Sequence, residues 1–327
     1  MDVERARITS VECLGEVDDY VYDISIADQD PFFFANDILV HNTDSSIFTA
    51  YPTLKKDIDA KKFAWDRDSV VATYNAIGDE VNSTFQPFMK EAFHCPHDRG
   101  EVIRAGREIV GSKGLFITKK RYAIWYYDKD NKRYDSPDKS GKLKAMGLDL
   151  KRSDTPEYMQ DFMETALVKL LTDHDEEEIL DMITEFRREF NKKNGWEKGS
   201  PKRVNNLAKY RALEEEKASA NLPGHVRASL NWNTLRRMHG DKYSLEISDG
   251  MKIVVCKVKN NPMGFTSVAY PVDEMHIPTW FQELPFDDEE MEKVIIDNKI
   301  NNLFGVLDWD IKSTETRNTF TSLFSFE

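Results

Sequence analysis

The chain has 327 residues, 40% hydrophobic and 31% charged, with 58 acidic against 45 basic side chains and a formal charge of −13. That length accommodates two or three domains of ordinary size. It contains no apolar run of about 18 residues that would cross a membrane, and MDVERARITS lacks the basic and apolar regions of a secretory signal. Cys13, Cys95 and Cys256 are scattered without pairing logic, which suits a reducing cytoplasm. The acidic total confines any nucleic-acid surface to one face. Basic residues outnumber acidic ones from Arg104 to Arg152, while acidic residues crowd Asp173–Asp181 and Asp287–Glu292.

In chain order, residues 3–27 alternate as strands do, with Val3, Arg5, Ile8 and Val11 followed by Val21–Ile26. Asp28-Gln29-Asp30-Pro31 is a turn signal; Phe32–Phe34 and Ile38–Val40 are apolar runs on either side of a second turn at Asn36-Asp37. A unit this small, below about 40 residues, cannot bury a stable core alone. Ser45–Ala50 is predicted as a strand. Asp68–Ala92 is predicted as a long helix from the spacing of Val70, Val71, Tyr74, Ile77, Val81 and Phe85. Residues 101–134 return to strand character with a turn around Asp128–Asn131, and Leu143–Pro156 is predicted as a connection. Thr155-Pro156-Glu157 signals a helix start, with Thr155 as N-cap. Helices follow to Leu171 and from Glu176 to Asn191, then a strand at Lys252–Val258 and a helix from Glu289 to about Asn301. His94-Cys95-Pro96-His97 has no second pair of metal ligands and is read as a helix end. Trp196 and Trp232 are assigned to packing.

The densest chemistry lies at His41-Asn42-Thr43. An asparagine side-chain amide can attack its own carbonyl carbon and cut the backbone. A preceding imidazole can protonate the departing amide, and a following hydroxyl can attack an upstream activated ester. Val21–Asn42 resembles the last two sequence blocks of inteins, in its tyrosine–aspartate strand, its phenylalanines before Ala35-Asn36, and its closing His-Asn. The resemblance covers residues 1–42 and implies that Asp23 balances protons near the two splice centres. Asp30-Pro31 stand where many inteins carry a histidine. The intein's N-terminal part is absent, so the first nucleophile is expected on a partner chain.

Thr43-Asp44-Ser45 is similar to the tail of the Tyr-Gly-Asp-Thr-Asp-Ser hairpin of family B DNA polymerases. Gly111-Ser112-Lys113-Gly114 followed by Lys119-Lys120-Arg121-Tyr122 resembles the family's palm motif. Lys144–Gly147 with Lys151–Pro156 resembles its palm-to-thumb crossing. Asn205–Tyr210, His225-Val226-Arg227 and Asn261–Gly264 resemble thumb segments of large tailed-phage enzymes. The match covers nearly all of 43–327. It implies that Asp44 is one of two carboxylates holding two Mg²⁺ about 4 Å apart. It implies that Lys119, Lys120, Arg121 and Tyr122 lie on a palm strand against the minor groove of the new base pair. Lys209, His225 and Arg227 would touch duplex phosphates. The apolar tail Leu323, Phe324 and Phe326 invites a partner pocket, which the resemblance makes a sliding clamp.

The expected fold class is α+β: a small all-β Hint-type segment over 1–42, the end of a palm over 43–147, and a mostly helical thumb over 148–327. The expected function is that of a precursor joined to its N-terminal half by trans-splicing, then acting on primer–template DNA and deoxynucleoside triphosphates in a host cytoplasm. One carboxylate cannot organise the metal site, so the chain alone should not polymerise. The alternative is a DNA-binding subunit with an inactive intein remnant that assembles non-covalently.

Overall fold

The computed structural model describes residues 47–96, 104–172, 175–210, 222–312 and 314–315, together with the backbone of 32–35 and 38–41. The architecture mixes helices and sheets, compatible with the α+β expectation. Backbone contacts divide the chain into residues 1–72 and 73–327. No helix among the described residues is long and apolar enough to cross a membrane.

In the first unit, β1 (Phe32–Ala35) and β2 (Ile38–His41) pair antiparallel, with Phe32 opposite His41 and Ala35 opposite Ile38. The two apolar runs thus pair as strands, in keeping with the short all-β unit expected there. Of the strand predicted at Ser45–Ala50, the described residues 47–50 belong to no regular element, and Ile47 and Phe48 are exposed. A strand needs a ladder partner for its backbone groups, and no described strand pairs with this stretch. Instead α1 (Tyr51–Asp59) follows, with proline in its first turn, where the missing N–H costs nothing. Asp66 then accepts the Ser69 amide at 2.9 Å and starts α2 (Arg67–Phe93), close to the predicted bounds. The Ser69 amide also draws the Asp66 carboxyl below its ordinary value. α2 ends before His94, whose φ of 51° is left-handed.

Among the described residues, the second unit contains two sheets. In the first, β4 (Arg121–Lys129) is central: β3 (Ile109–Thr118) pairs with one edge, while β5 (Lys132–Arg133) and β6 (Lys142–Met146) share the other. Residues from Ala123 to Asp128 are all buried, so β4 is covered on both faces and shows no alternation. One face, with Leu115, Ala123 and Trp125, joins the core built by α3 (Glu157–Leu171). Leu143–Pro156 is therefore no simple connection. It begins inside β6, which fills the free edge of β4, and continues through a 3₁₀ turn at Asp149–Lys151 that buries Leu150.

α3 buries Met159, Phe162, Met163, Ala166, Leu167 and Leu171, the spacing of a helix with one apolar stripe. Its N-cap is Pro156, without a side-chain cap. Thr155 does not serve as the cap, because its hydroxyl accepts the Lys299 ammonium at 3.0 Å instead. α4 (Glu176–Lys192) starts on Asp175, which accepts the Glu178 amide, and stacks Phe186 on Phe162 at 4.1 Å. The acidic run around Asp173–Asp181 thus falls on a helix start, where the macrodipole favours anions. The run at Asp287–Glu292 has the same explanation, since Asp287 caps α7 (Asp288–Glu292).

The second sheet orders β7 (Ser200–Arg203), β8 (Lys252–Lys257) and β9 (Ser267–Pro271) antiparallel, with α5 (Gly224–Met238) packed against β9. Trp232 of α5 is fully buried against Trp280 and Phe281 of α6 (Thr279–Gln282), in the packing role assigned to it. After α7, a π turn at Lys293–Asp297 leads into α8 (Asn298–Phe304). Asp297 lies five positions after Glu292, yet the wider turn sets both carboxylates on Arg187 Nη1, at 2.9 and 2.6 Å. Arg187 has 1% of its side chain exposed, so the two anions neutralise a charge that would be costly to bury alone.

Candidate nucleic-acid interface

Antiparallel partners share a sheet face, so the pairings Phe116↔Tyr122 and Tyr122↔Met146 make one row across three strands. The row lies on the face opposite Leu115, Ala123 and Ala145. Phe116, half exposed, stacks on Tyr122 with ring centroids 5.9 Å apart. Gly114 makes room for this, because a Cβ there would lie 2.8 Å from the Phe116 ring.

The basic motif sits at the end of this row, but not as predicted. Thr118 pairs with Arg121, so Lys119 and Lys120 are the two-residue turn of the β3–β4 hairpin, and only Arg121 and Tyr122 belong to β4. Lys120 has φ 61°, which excludes a strand conformation. Both lysines are exposed. Arg121 turns back instead: its Nε donates to the Gly147 carbonyl at 3.2 Å. Lys144, on the same sheet face as the aromatic row, pairs with Glu108 at 2.5 Å.

A second basic cluster surrounds the turn that follows β6. Arg152 grips Asp154 through Nε and Nη2 at 3.0 and 3.1 Å, and Lys202 of β7 reaches the same carboxylate at 2.9 Å. The Arg152 hydrogen bond holds the Asp154 carboxyl well below the usual range, with Lys202 adding to it against the opposing effect of burial. His225, in the first turn of α5, is half-buried, and burial together with the Lys202 cation pushes its imidazole below its ordinary value. Arg227 is exposed two residues further on. Lys209 is exposed in a helical segment at residues 207–210. The structure therefore joins Lys202 to Asp154 and Arg152, with the Lys202 charge acting on His225. Arg152 and Lys202 carry no assigned role in the sequence reading, because a separation of 48 positions between Asp154 and Lys202 hides the pairing.

Asp23, Asn42, Thr43, Asp44, Leu323, Phe324 and Phe326 lie outside the described residues, and for His41 only the β2 backbone is described. Among the described residues no group of three or more His, Cys, Asp and Glu could hold a metal ion. The fit of Mg²⁺ therefore rests on no ligand set described here.

The profile of DNA polymerase family B matches residues 65–264. Among curated proteins, the DNA-directed DNA polymerase of Enterobacteria phage T4 is 25% identical over 271 residues, covering 78% of this chain and 28% of that protein. The DNA-directed DNA polymerase of Escherichia phage RB69 is 31% identical over 166 residues, covering 50% of this chain and 17% of that protein. The chain thus spans well under a third of the length of these relatives. The family match takes in α2, both sheets as far as β8, and both basic clusters, and it extends over more than half of the sequence: the chain belongs to DNA polymerase family B.

Proposed function

We propose that this chain is the C-terminal part of a replicative DNA-directed DNA polymerase, comprising the palm end (43–147) and the thumb (148–327), and that it grips the primer–template duplex. The observation that carries this reading is the exposed Lys119-Lys120 turn at the end of an aromatic sheet row, in a chain of this family. Lysines there can meet the acceptors that every correct base pair presents in the minor groove. Arg227 and Lys209 supply exposed cations for the backbone, beside His225 and the Arg152–Asp154–Lys202 cluster, and such contacts set affinity without reading sequence. Binding of the full chain to a labelled primer–template should weaken steeply with salt. Affinity that does not respond to salt would remove the reading.

Asp44 is proposed as one carboxylate of a two-Mg²⁺ site whose companion belongs to the N-terminal half. Bound there, the ions neutralise nucleotide phosphates and the attacking primer oxygen. Without that half, the chain binds DNA and does not extend primers from deoxynucleoside triphosphates. Leu323, Phe324 and Phe326 are proposed to dock on a sliding clamp.

A second activity is supported by His41-Asn42-Thr43 and by the β1–β2 hairpin that leads into it. Thr43 Oγ attacks the ester or thioester formed on a partner chain, releasing that chain's nucleophile and giving a branched intermediate. The Asn42 side-chain nitrogen then attacks the Asn42 carbonyl carbon. The Asn42–Thr43 bond breaks, the Thr43 nitrogen takes up a proton with help from His41, and an acyl shift leaves a normal peptide bond. Asp23 balances protons between the centres. Mass spectrometry of this chain mixed with its N-terminal half tests the reading. A ligated product beginning its C-terminal part at Thr43, with 1–42 released and lost in Asn42→Ala, supports splicing. Two unchanged masses with polymerase activity in the mixture would mean non-covalent assembly.

A further inference from the structure

The two turns at the ends of β4 are built from unlike residues. Asp130 and Asn131 both adopt positive φ, at 51° and 62°, and both residue types tolerate that conformation. At the other end Lys120 adopts φ 61°, which a lysine side chain does not favour. Lys119, Lys120 and Arg121 are also three consecutive cations. Local preference alone therefore does not specify this turn, and something else must hold it.

Gly147 stands at the right place. It follows Met146, which pairs with Tyr122, and precedes Leu148, which is buried in the core shared with α3. Its φ is 64°, and a Cβ added to it would strike the Lys120 carbonyl oxygen. Its own carbonyl receives Arg121 Nε at 3.2 Å. The backbone of the turn and the backbone that opens the thumb are thus in direct apposition, and Arg121 closes the contact from the other side.

We propose that Gly147 and Arg121 form a positioning latch that fixes the Lys119-Lys120 tip against the start of the thumb, so that both ammonium groups are presented to the duplex together. Arg121 acts through the tip and is a positioning residue. The inference rests on the DNA-binding reading above, and the experiment separates the two.

The full chain, Lys119→Ala/Lys120→Ala, Arg121→Lys, Gly147→Ala, and the combinations of each latch variant with the lysine pair are titrated with a fluorescent primer–template duplex from 50 to 200 mM salt. Circular dichroism and thermal melting accompany each titration. Removing two charge contacts should lower the slope of log affinity against log salt by about 1.8, at about 0.9 per contact. Arg121→Lys keeps the charge but loses Nε, and Gly147→Ala blocks the apposition. Each should move the slope towards that of the lysine-free variant, and combining either with the lysine pair should lower it no further. Slopes for Arg121→Lys and Gly147→Ala equal to the unchanged chain, with a reduced slope for the lysine-free variant, would overturn the latch and leave the DNA reading standing. Additive losses would likewise overturn it, since Arg121 would then touch DNA independently. If the lysine-free variant binds as the unchanged chain does, the DNA reading of the tip fails. Should Gly147→Ala not fold, Arg121→Lys decides alone.

Discussion

The two ends of β4 are held in different ways. At the Asp130-Asn131 end, Arg107 Nη1 lies 2.7 Å from the Asp128 carboxylate, with the side chains 8% and 2% exposed. Arg107 Nε donates to Asn75 of α2, and Asn75 and Arg107 both donate to Asn131 Oδ1. The two buried charges there, Arg107 and Asp128, face each other, and the turn residues Asp130 and Asn131 are those the conformation prefers. At the Lys119-Lys120 end the cations are exposed, the turn is strained, and the restraint comes from the backbone of Gly147. Protein surfaces violate local rules where a ligand supplies what is missing. The contrast sets a turn held by its own residues against a turn held by a neighbouring backbone, the one proposed above to meet DNA.

Breaking the paired end should have the largest effect. Asp128→Ala leaves Arg107 buried without its anion and should cost about 3–5 kcal/mol in urea denaturation, while the folded fraction keeps its DNA affinity. Lys120→Gly should act in the opposite sense, relieving the left-handed lysine and raising stability by up to about 1 kcal/mol. It should also lower the salt slope by about 0.9. Asp130→Gly, at the comfortable turn, should change stability by no more than about 0.5 kcal/mol. A stability gain at Asp130 equal to that at Lys120 would dissolve the distinction between the turns.

Smaller effects sharpen the comparison within the second basic cluster. Asp154→Asn removes the anion between Arg152 and Lys202 and frees both for phosphate, so the salt slope should steepen. Its stability cost should stay below about 1 kcal/mol because the carboxylate is partly solvated. The native carboxyl is held below its ordinary value of 3.8 by Arg152. Its stabilisation is therefore present above that value and is lost as pH falls through the depressed one. His225 is a base with a depressed value, favouring the neutral ring in the folded chain. Its stability contribution is present above pH 6.5 and falls away as pH drops through the depressed value. A nearby phosphate would reverse the preference, so DNA binding should take up a proton as pH falls below about 6.5. His225→Gln should flatten that profile, giving the smallest change of the series.

Three helices were legible in the sequence: α2 lies close to where the spacing from Val70 to Phe85 places it, α3 starts where Thr155-Pro156-Glu157 signals, and α4 lies close to its expected bounds of Glu176–Asn191. α5 was not, for a physical reason. Val226, Ala228–Asn233 and Leu235 are all buried, so the helix is covered nearly all round and its polar members Ser229, Asn231 and Asn233 erase any periodic signal. Asn231 and Asn233 satisfy the Ser267 and Ile247 backbone inside the core, a tertiary arrangement that no local pattern announces. β7, Ser-Pro-Lys-Arg, has no strand composition and exists because β8 offers an edge. Likewise, the basic motif could be read from Lys119–Tyr122, but its turn could not, since lysines are not turn residues. The latch joins Arg121 to Gly147 across 26 residues, beyond the reach of periodicity.

The π turn at Lys293–Asp297 carries a consequence for which changes of length the gene can tolerate. Deleting one residue there would restore ordinary helical winding and swing Asp297 by about 100° around the axis, leaving Arg187 with Glu292 as its near anion. An insertion would rotate it the other way. Substitutions along the outer face of this helix are cheap by comparison. The length of the segment is therefore set by one buried guanidinium, and natural variants should differ here in residue identity while keeping the number of residues between Glu292 and Asp297 fixed.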